Sequence, residues 1–382
     1  MANSRNISLV ILRYFPFGGL QQSFINILLA LQKRGFSIDV ITMNWQSDKP
    51  AGIIIHEYPQ KNLTNHGKIR SFANSLAAYK KQKPDSIYVG FNRLPGLDIY
   101  YAGDVCYREY IQNERPFWVR WTSRYKTLAD IEKKIFSIDS TTHIFCISER
   151  EKIIYQKHYQ TPDTRMMVLK PGIKRALDFD KNFLEIERHT MRSEFNIHFE
   201  AYVLLMVGSD FKRKGVARSI HALAALTPSI RQKTHLVIIG QGHANRLIEL
   251  SKKLGISNQI HFTGGIAHPK VCSWMRSSDL LLHPAHHENT GNVLLEALTY
   301  NLGVLASNNC GYAPHIIEAH AGVLIENEPF VQEKFNKLLQ HVLEQPTQIK
   351  QWSLAALKYS NHADLYSRLD QVADWLERWQ KS

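Results

Sequence analysis

Several things are scarce in this sequence. Its 382 residues hold four cysteines, Cys106, Cys146, Cys272 and Cys310, all far apart. That spacing offers neither a metal-type pair nor a dense disulfide framework, and reduced thiols in a cytoplasmic protein are expected. No apolar run reaches the roughly 18 residues that a bilayer-spanning helix needs. The apolar stretch near the start is interrupted by Arg13 and no small-residue cleavage site follows it, so it reads as a first buried strand, not a signal peptide. There is no low-complexity tract and no fixed-period repeat. The G-x-G-x-x-G dinucleotide fingerprint is missing. So is an Asp-x-Asp pair at a strand end, which leaves no evident holder for Mg²⁺ and predicts metal independence with no cofactor. Acids are also in deficit: 34 Asp and Glu face 47 Lys and Arg, a net charge of +13.

The basic excess is uneven. Residues 1–168 carry 23 Lys/Arg against 14 Asp/Glu, or +9, and the remainder 24 against 20, or +4. An acidic partner is called for: anionic lipid, a phosphorylated small molecule or nucleic acid. No nucleic-acid-binding module appears, so nucleic acid is set aside.

What is present is alternation. ISLVIL (7–12), FSIDVITM (36–43), SIYVGF (86–91) and THIFCIS (142–148) read as buried strands, with a helical pattern over 18–35 between the first two. VLKPGI (168–173) reads as a joint followed by a long polar stretch. A second series then begins, with strands at 201–208, 234–240, 260–265, 279–285 and 302–307. Buried strands separated by helices imply parallel sheets covered on both faces. Two such series predict an α/β chain of two doubly wound, Rossmann-like domains facing each other across a cleft. The expected boundaries are 1–168, 169–356 and an amphipathic C-terminal helix in 357–382 that packs back toward the N-terminal domain.

Ligands of open parallel sheets bind beyond the carboxyl ends of the strands. Three stretches stand there. YFPFGGLQQ follows the first strand, and Gly18 and Gly19 let a phosphate or sugar approach the backbone, although a tight strand-to-helix turn also favours glycine. GSDFKRKG (208–215) brings Arg213 and Lys214, which suit a diphosphate or, alternatively, make a solvated basic loop. HENTGNVLLEA (287–297) reads as loop then helix, capped by Asn289 or Thr290 and opened by Gly291. Glu288 lies before this helix and Glu296 about two turns inside it. One carboxylate can then meet a ligand in front of the helix N-terminus and the other from the side, with the amides between them on a phosphate.

These residues carry a resemblance. The pair Glu288 and Glu296, with GSDFKRKG upstream and YFPFGGLQ near the start, resembles the retaining glycosyltransferases of family 4, which have the GT-B fold. NHGKIRSF, GFNRLPGLDIYYAGDVCY, RWTSRY, VGSDFKRKGVARSI and SDLLLHPAHHENTGNVLLEAL extend it along nearly the whole chain. They are similar to the members that add glucose from UDP-glucose to an inner-core heptose of lipopolysaccharide. The resemblance implies a UDP-hexose donor and a lipid-linked core oligosaccharide acceptor. It assigns Glu296 to the ribose and Glu288 to the transferred sugar. Arg213, Lys214 and the amides around Thr290, Gly291 and Asn292 would take the diphosphate, and the loop near Ile266 the uracil. Gly18 and Gly19 would approach the donor, and Asp104 would face the acceptor as base or anchor. The family has an acid where this chain has Ser23, and smaller residues where it has HHENT. A UDP-sugar epimerase, or a transferase acting on another membrane-linked glycan, would share the same donor site.

One segment is both basic and aromatic. In RPFWVRWTSRYKTL (115–128), Phe117, Trp118, Trp121, Tyr125 and Leu128 recur at helical spacing, interleaved with Arg115, Arg120, Arg124 and Lys126. An amphipathic helix of this kind suits an anionic membrane surface, and its alternative is a helix whose arginines bind acceptor phosphates. With a lipid-linked acceptor, the expected location is peripheral, on the cytoplasmic face of the inner membrane.

Overall fold

The apolar runs become two parallel sheets. A computed structural model describes residues 6–16, 18–176 and 180–379. It divides into two units, 1–172 with 367–382, and 173–366.

The first unit's strands are β1 (Asn6–Tyr14), β2 (Ser37–Trp45), β3 (Ile54–Glu57), β4 (Ile87–Gly90), β5 (Ile99–Ala102), β6 (His143–Cys146) and β7 (Met166–Val168). Among the described residues they form one sheet in the order β3-β2-β1-β4-β5-β6-β7, with every pairing parallel. Alternate residues of β1 face opposite layers, as the period of two requires. Ile7, Leu9 and Ile11 pack with Phe24, Leu28 and Leu31 of the helix Gly19–Lys33. Val10 points the other way, into Phe72 and Leu76 of the helix Asn65–Gln82. Each such side chain contributes about 1.5–3 kcal/mol on full burial, and this is why a strand buried on both faces reads as an unbroken apolar run.

The second unit holds β8 (Tyr202–Val207), β9 (Thr234–Ile239), β10 (Ile260–Gly264), β11 (Leu280–His283), β12 (Gly303–Ser307) and β13 (Gly322–Ile325). Among the described residues their order is β10-β9-β8-β11-β12-β13, again parallel throughout. The long polar stretch after the joint contains a helix, Lys181–Ser193, capped by Asp180, whose side chain accepts from Phe183 N. Its buried Arg192 donates to the carbonyls of Phe199 and Ala201 and pairs with Asp279 at 2.8 Å.

The units divide four residues beyond 168 and ten beyond 356. Leu169 still belongs to the first core, next to β7. The helix Pro346–His362 runs unbroken, with Ile349, Trp352 and Ala356 buried in the second unit. The last helix, Arg368–Arg378, is part of the first unit. Val372, Ala373 and Leu376 join its core, and Arg34 pairs with Asp370, Asp374 and Glu377.

Candidate functional site

In each sheet the chain winds outward in opposite directions from one pair of central strands, and the loops after those strands diverge there to leave a crevice. In the second unit that pair is β8 and β11. The loop after β8 carries Arg213 and Lys214, and the loop after β11 carries Glu288, so the strand order brings residues 75 and 74 positions apart into contact.

Two glycines of the loop after β8 shape the site. Gly208, with φ +136°, lets the Lys214 stem lie across the end of β8, because a Cβ there would stand 2.9 Å from Lys214 Cε. Gly215, with φ +74°, opens the helix Val216–Ala224, and its missing Cβ would sit 2.0 Å from the Pro284 carbonyl oxygen. His286 N donates to Arg213 O at 2.8 Å. The two loops are therefore joined through backbone.

On that frame Arg213 Nη1 lies 2.9 Å from Glu288 Oε2, and Lys214 Nζ donates to the same oxygen. Arg213 also reaches Asp210, 3.4 Å away. Beneath them is His283, the last residue of β11, fully buried, with Nε2 3.7 Å from Glu288 Oε2. Burial lowers the pKa of His283, so it faces the carboxylate as a neutral ring at pH 7. Burial alone would raise the pKa of Glu288; the His283 contact and the Lys214 and Arg213 charges outweigh it and hold the group well below the usual range.

Glu296 is different. It is the fifth residue of the helix Asn292–Thr299, little more than one turn inside and not two. It is partly buried, burial pushes its pKa up, and the nearby Lys214 charge acts the other way. Among the described residues its carboxylate has no hydrogen bond or ion pair. Neither Asn289 nor Thr290 caps this helix with a side chain. Gly291 stands at the cap in the left-handed region, with φ +81°, a conformation an L side chain resists. Thr290 instead gives its carbonyl to Tyr312 N at 2.8 Å, and Asn292 is the first helical residue. Ile266 lies in the loop after β10, packed on the core that includes Val293 and Ala297. Among the described residues no three His, Cys, Asp or Glu side chains gather as metal ligands.

The first unit carries the remaining candidates. Gly18 and Gly19 are exposed at the start of the helix after β1, and the Ser23 hydroxyl bonds Gly19 O at 3.0 Å. Asp104 follows β5 and is half exposed, 3.8 Å from Arg93. Its loop is held from beneath by residues the sequence reading missed. Arg93 donates to Val105 O at 2.7 Å and pairs at 3.0 Å with Glu132, which is fully buried. Glu132 accepts from the Tyr107 and Arg108 amides and from the Tyr159 hydroxyl. Glu151 accepts from Cys106 N, and Tyr155 donates to Asp104 O. The GDVCY stretch signalled the loop; nothing local pointed to partners as far away as Glu132 and Glu151.

Segment 115–128 is not one amphipathic helix. Phe117–Trp121 is a 3₁₀ turn, and an α-helix, Ser123–Phe136, starts afresh because the Thr122 side chain accepts from Tyr125 N. Phe117, Trp118 and Trp121 remain largely exposed, at 68%, 55% and 69%, beside exposed Arg115, Arg120, Arg124 and Lys126. Tyr125 and Leu128 turn partly inward. No helix of the described residues is long and apolar enough to cross a membrane.

Known proteins share this architecture. Residues 17–177 match the family model "Glycosyltransferase Family 4", and residues 187–359 match "Glycosyl transferases group 1". The lipopolysaccharide glucosyltransferase WaaG of Escherichia coli K12 is 39% identical over 96% of this chain and 97% of its own length. The crystal structure of WaaG superposes with a TM-score of 0.88, covering 98% of this chain and all of that one, at 38% identity. HepE of Anabaena, solved with UDP and glucose, covers 98% of this chain and all of its own at a TM-score of 0.71; its 16% identity shows the fold alone. With two parallel-sheet, Rossmann-like units that match WaaG along almost their whole length, the chain belongs to the WaaG-like glycosyltransferases of family 4, with the GT-B fold.

Proposed function

We propose that this enzyme moves a hexose, glucose first, from a UDP-sugar to an inner-core heptose of lipopolysaccharide, with retention of configuration and without a metal. The observation that carries this reading is the contrast across Gly291. One carboxylate, Glu288, is tied to Arg213 and Lys214, while the other, Glu296, has no protein partner among the described residues. A partly buried carboxylate without a partner is costly, and ribose hydroxyls are suitable donors for it. Charge develops on the diphosphate as the sugar–phosphate bond breaks. Arg213, Lys214 and the amide end of the helix Asn292–Thr299 are the groups to stabilise it, which is the work Mg²⁺ does in other transferases. Glu288 would hold a hydroxyl of the transferred hexose, and the Ile266 loop would meet the uracil.

Retention here is read as front-face attack: the acceptor oxygen bonds to the anomeric carbon on the side from which UDP departs, and its proton passes to the leaving phosphate. Asp104, on a loop held from beneath by Arg93, Glu132 and Glu151, would orient the acceptor or assist as base. The exposed Phe117, Trp118 and Trp121, ringed by Arg115, Arg120, Arg124 and Lys126, would seat the enzyme on the anionic cytoplasmic face of the inner membrane, where a lipid-linked acceptor resides.

The test is a donor screen with UDP-hexoses and heptose-terminated lipopolysaccharide, following UDP release and product mass, with chelator present and absent. UDP-glucose should give a product one hexose heavier, at the same rate with chelator, and Glu288→Ala should abolish it. A donor that is isomerised without gaining an acceptor would replace this reading with an epimerase. Co-sedimentation should show binding to phosphatidylglycerol-containing vesicles, lost when Arg120, Arg124 and Lys126 are neutralised; binding indifferent to both would remove the membrane role.

A further inference from the structure

The protein supplies its own anion to the two cations that the donor reading gives to the diphosphate. Arg213 Nη1 and Lys214 Nζ both bond Glu288 Oε2, and among the described residues Oε1 accepts nothing. The arrangement is built into the backbone. The loops are joined by His286 N to Arg213 O at 2.8 Å, and Gly215 allows the Pro284 carbonyl to press against it. Arg213 Nη1 also reaches His287 O, 3.3 Å away, immediately before Glu288. Without a carboxylate at 288, two cations would stand at the amide end of a helix, and any diphosphate would bind there tightly. UDP would bind most tightly of all, because once the sugar has gone its terminal phosphate gains a further ionisable oxygen.

We propose that Glu288 is an internal counter-anion that competes with UDP for Arg213 and Lys214, so that the site holds UDP-sugar in preference to UDP and discharges the product. This rests on the donor site assigned above. While the donor is bound, the phosphates take the two cations and a hexose hydroxyl compensates Glu288 for losing them. After transfer that hydroxyl has left with the acceptor. Glu288 is then a largely buried carboxylate with the neutral His283 ring beneath it and Arg213 and Lys214 as the cations within reach, and its return to them displaces UDP. The same group thus reads the sugar in the donor and expels the nucleotide once the sugar is gone.

The experiment is calorimetric titration of the full chain with UDP and, separately, with UDP-glucose, for wild type, Glu288→Gln and Glu288→Asp. Thermal unfolding of each variant checks that it is folded. Glu288→Gln should bind UDP about tenfold tighter than wild type while binding UDP-glucose no better, reversing the preference. Glu288→Asp, with a shorter reach to the cations, should fall between. Adding Arg213→Gln should weaken UDP binding more in the Glu288→Gln background than in wild type, since there the arginine no longer pairs with a carboxylate at 288, its contacts to Asp210 and His287 O being unchanged. A wild type that binds UDP beside a Glu288→Gln variant that binds it equally or more weakly would overturn the counter-anion role and leave the donor site standing. A wild type that binds neither ligand would overturn both.

Discussion

Replacing Gly215 with alanine should disable the site more than it destabilises the fold. The added Cβ would lie 2.0 Å from the Pro284 carbonyl oxygen, and real Cβ atoms essentially never come within 3.0 Å of a neighbour, so the loops must part by about 1 Å. Alanine at φ +74° also carries the left-handed penalty of about 1–2 kcal/mol. Gly255 supplies the control. It has φ +68° after the helix Asn245–Lys253, and its Cβ would meet nothing within 4 Å. Gly255→Ala therefore carries the backbone penalty alone, and both variants should lose several degrees of Tm, at about 2–4 °C per kcal/mol. The parting of the loops falls on one of them. It separates Arg213 and Lys214 from Glu288, and a misplacement near 1 Å can lower turnover about a hundredfold, or ~2.7 kcal/mol of transition-state stabilisation. The assay is kcat/KM for UDP release with acceptor present, read beside thermal unfolding. Equal activity for Gly215→Ala and Gly255→Ala would show that the backbone joint does not set the catalytic geometry.

Other consequences can be checked separately. Truncating Glu296 to alanine should raise KM for the donor with a smaller change in kcat, a loss of about 1–3 kcal/mol; a fall in kcat alone would take the residue away from ground-state donor binding. Arg192→Met removes the donor that Arg192 gives to the carbonyls of Ser277, Phe199 and Ala201, while Asp279 keeps Arg188 at 2.6 Å, and should destabilise the second unit by about 1–3 kcal/mol in chemical denaturation. His261 is pushed down to about 4, by burial first and by His235, whose Nδ1 stands 3.0 Å away. Phe195 stacks on His261, and the Arg192 charge acts on His235, which burial also lowers. The neutral ring is thus favoured in the folded chain, while the unfolded chain takes up a proton near pH 6.5. The stability this contributes is full above pH 6.5 and is lost as pH falls toward 4. His261→Gln should flatten that slope between pH 7 and 4.5; an unchanged slope would assign it to other groups.

The two parallel sheets were legible because strands buried on both faces leave continuous apolar runs, as ISLVIL and DLLLHPA do. Short edge strands were not: β3 is IIHE, with no face fully buried, and β7 is three residues long. The last helix was recognisable as amphipathic, while its place in the first unit depends on Arg34 and the β1 layer. At 115–128 the helical spacing of aromatics outweighed a local signal, the capping Thr122, that divides the segment in two.

The candidate site divides along the same line. Glu288 before a helix and Glu296 within it, Gly291 between them and Arg213 beside Lys214 are all readable from residue type and spacing. Their partners are not. That Glu288 meets Arg213 and Lys214, and that Glu132 holds the Asp104 loop through Arg93, follows from which elements lie side by side. Periodicity along a chain records how deeply each residue is buried, a local property. Charge pairing falls steeply with distance, and only the order of β8 beside β11 brings Arg213 within 3 Å of Glu288.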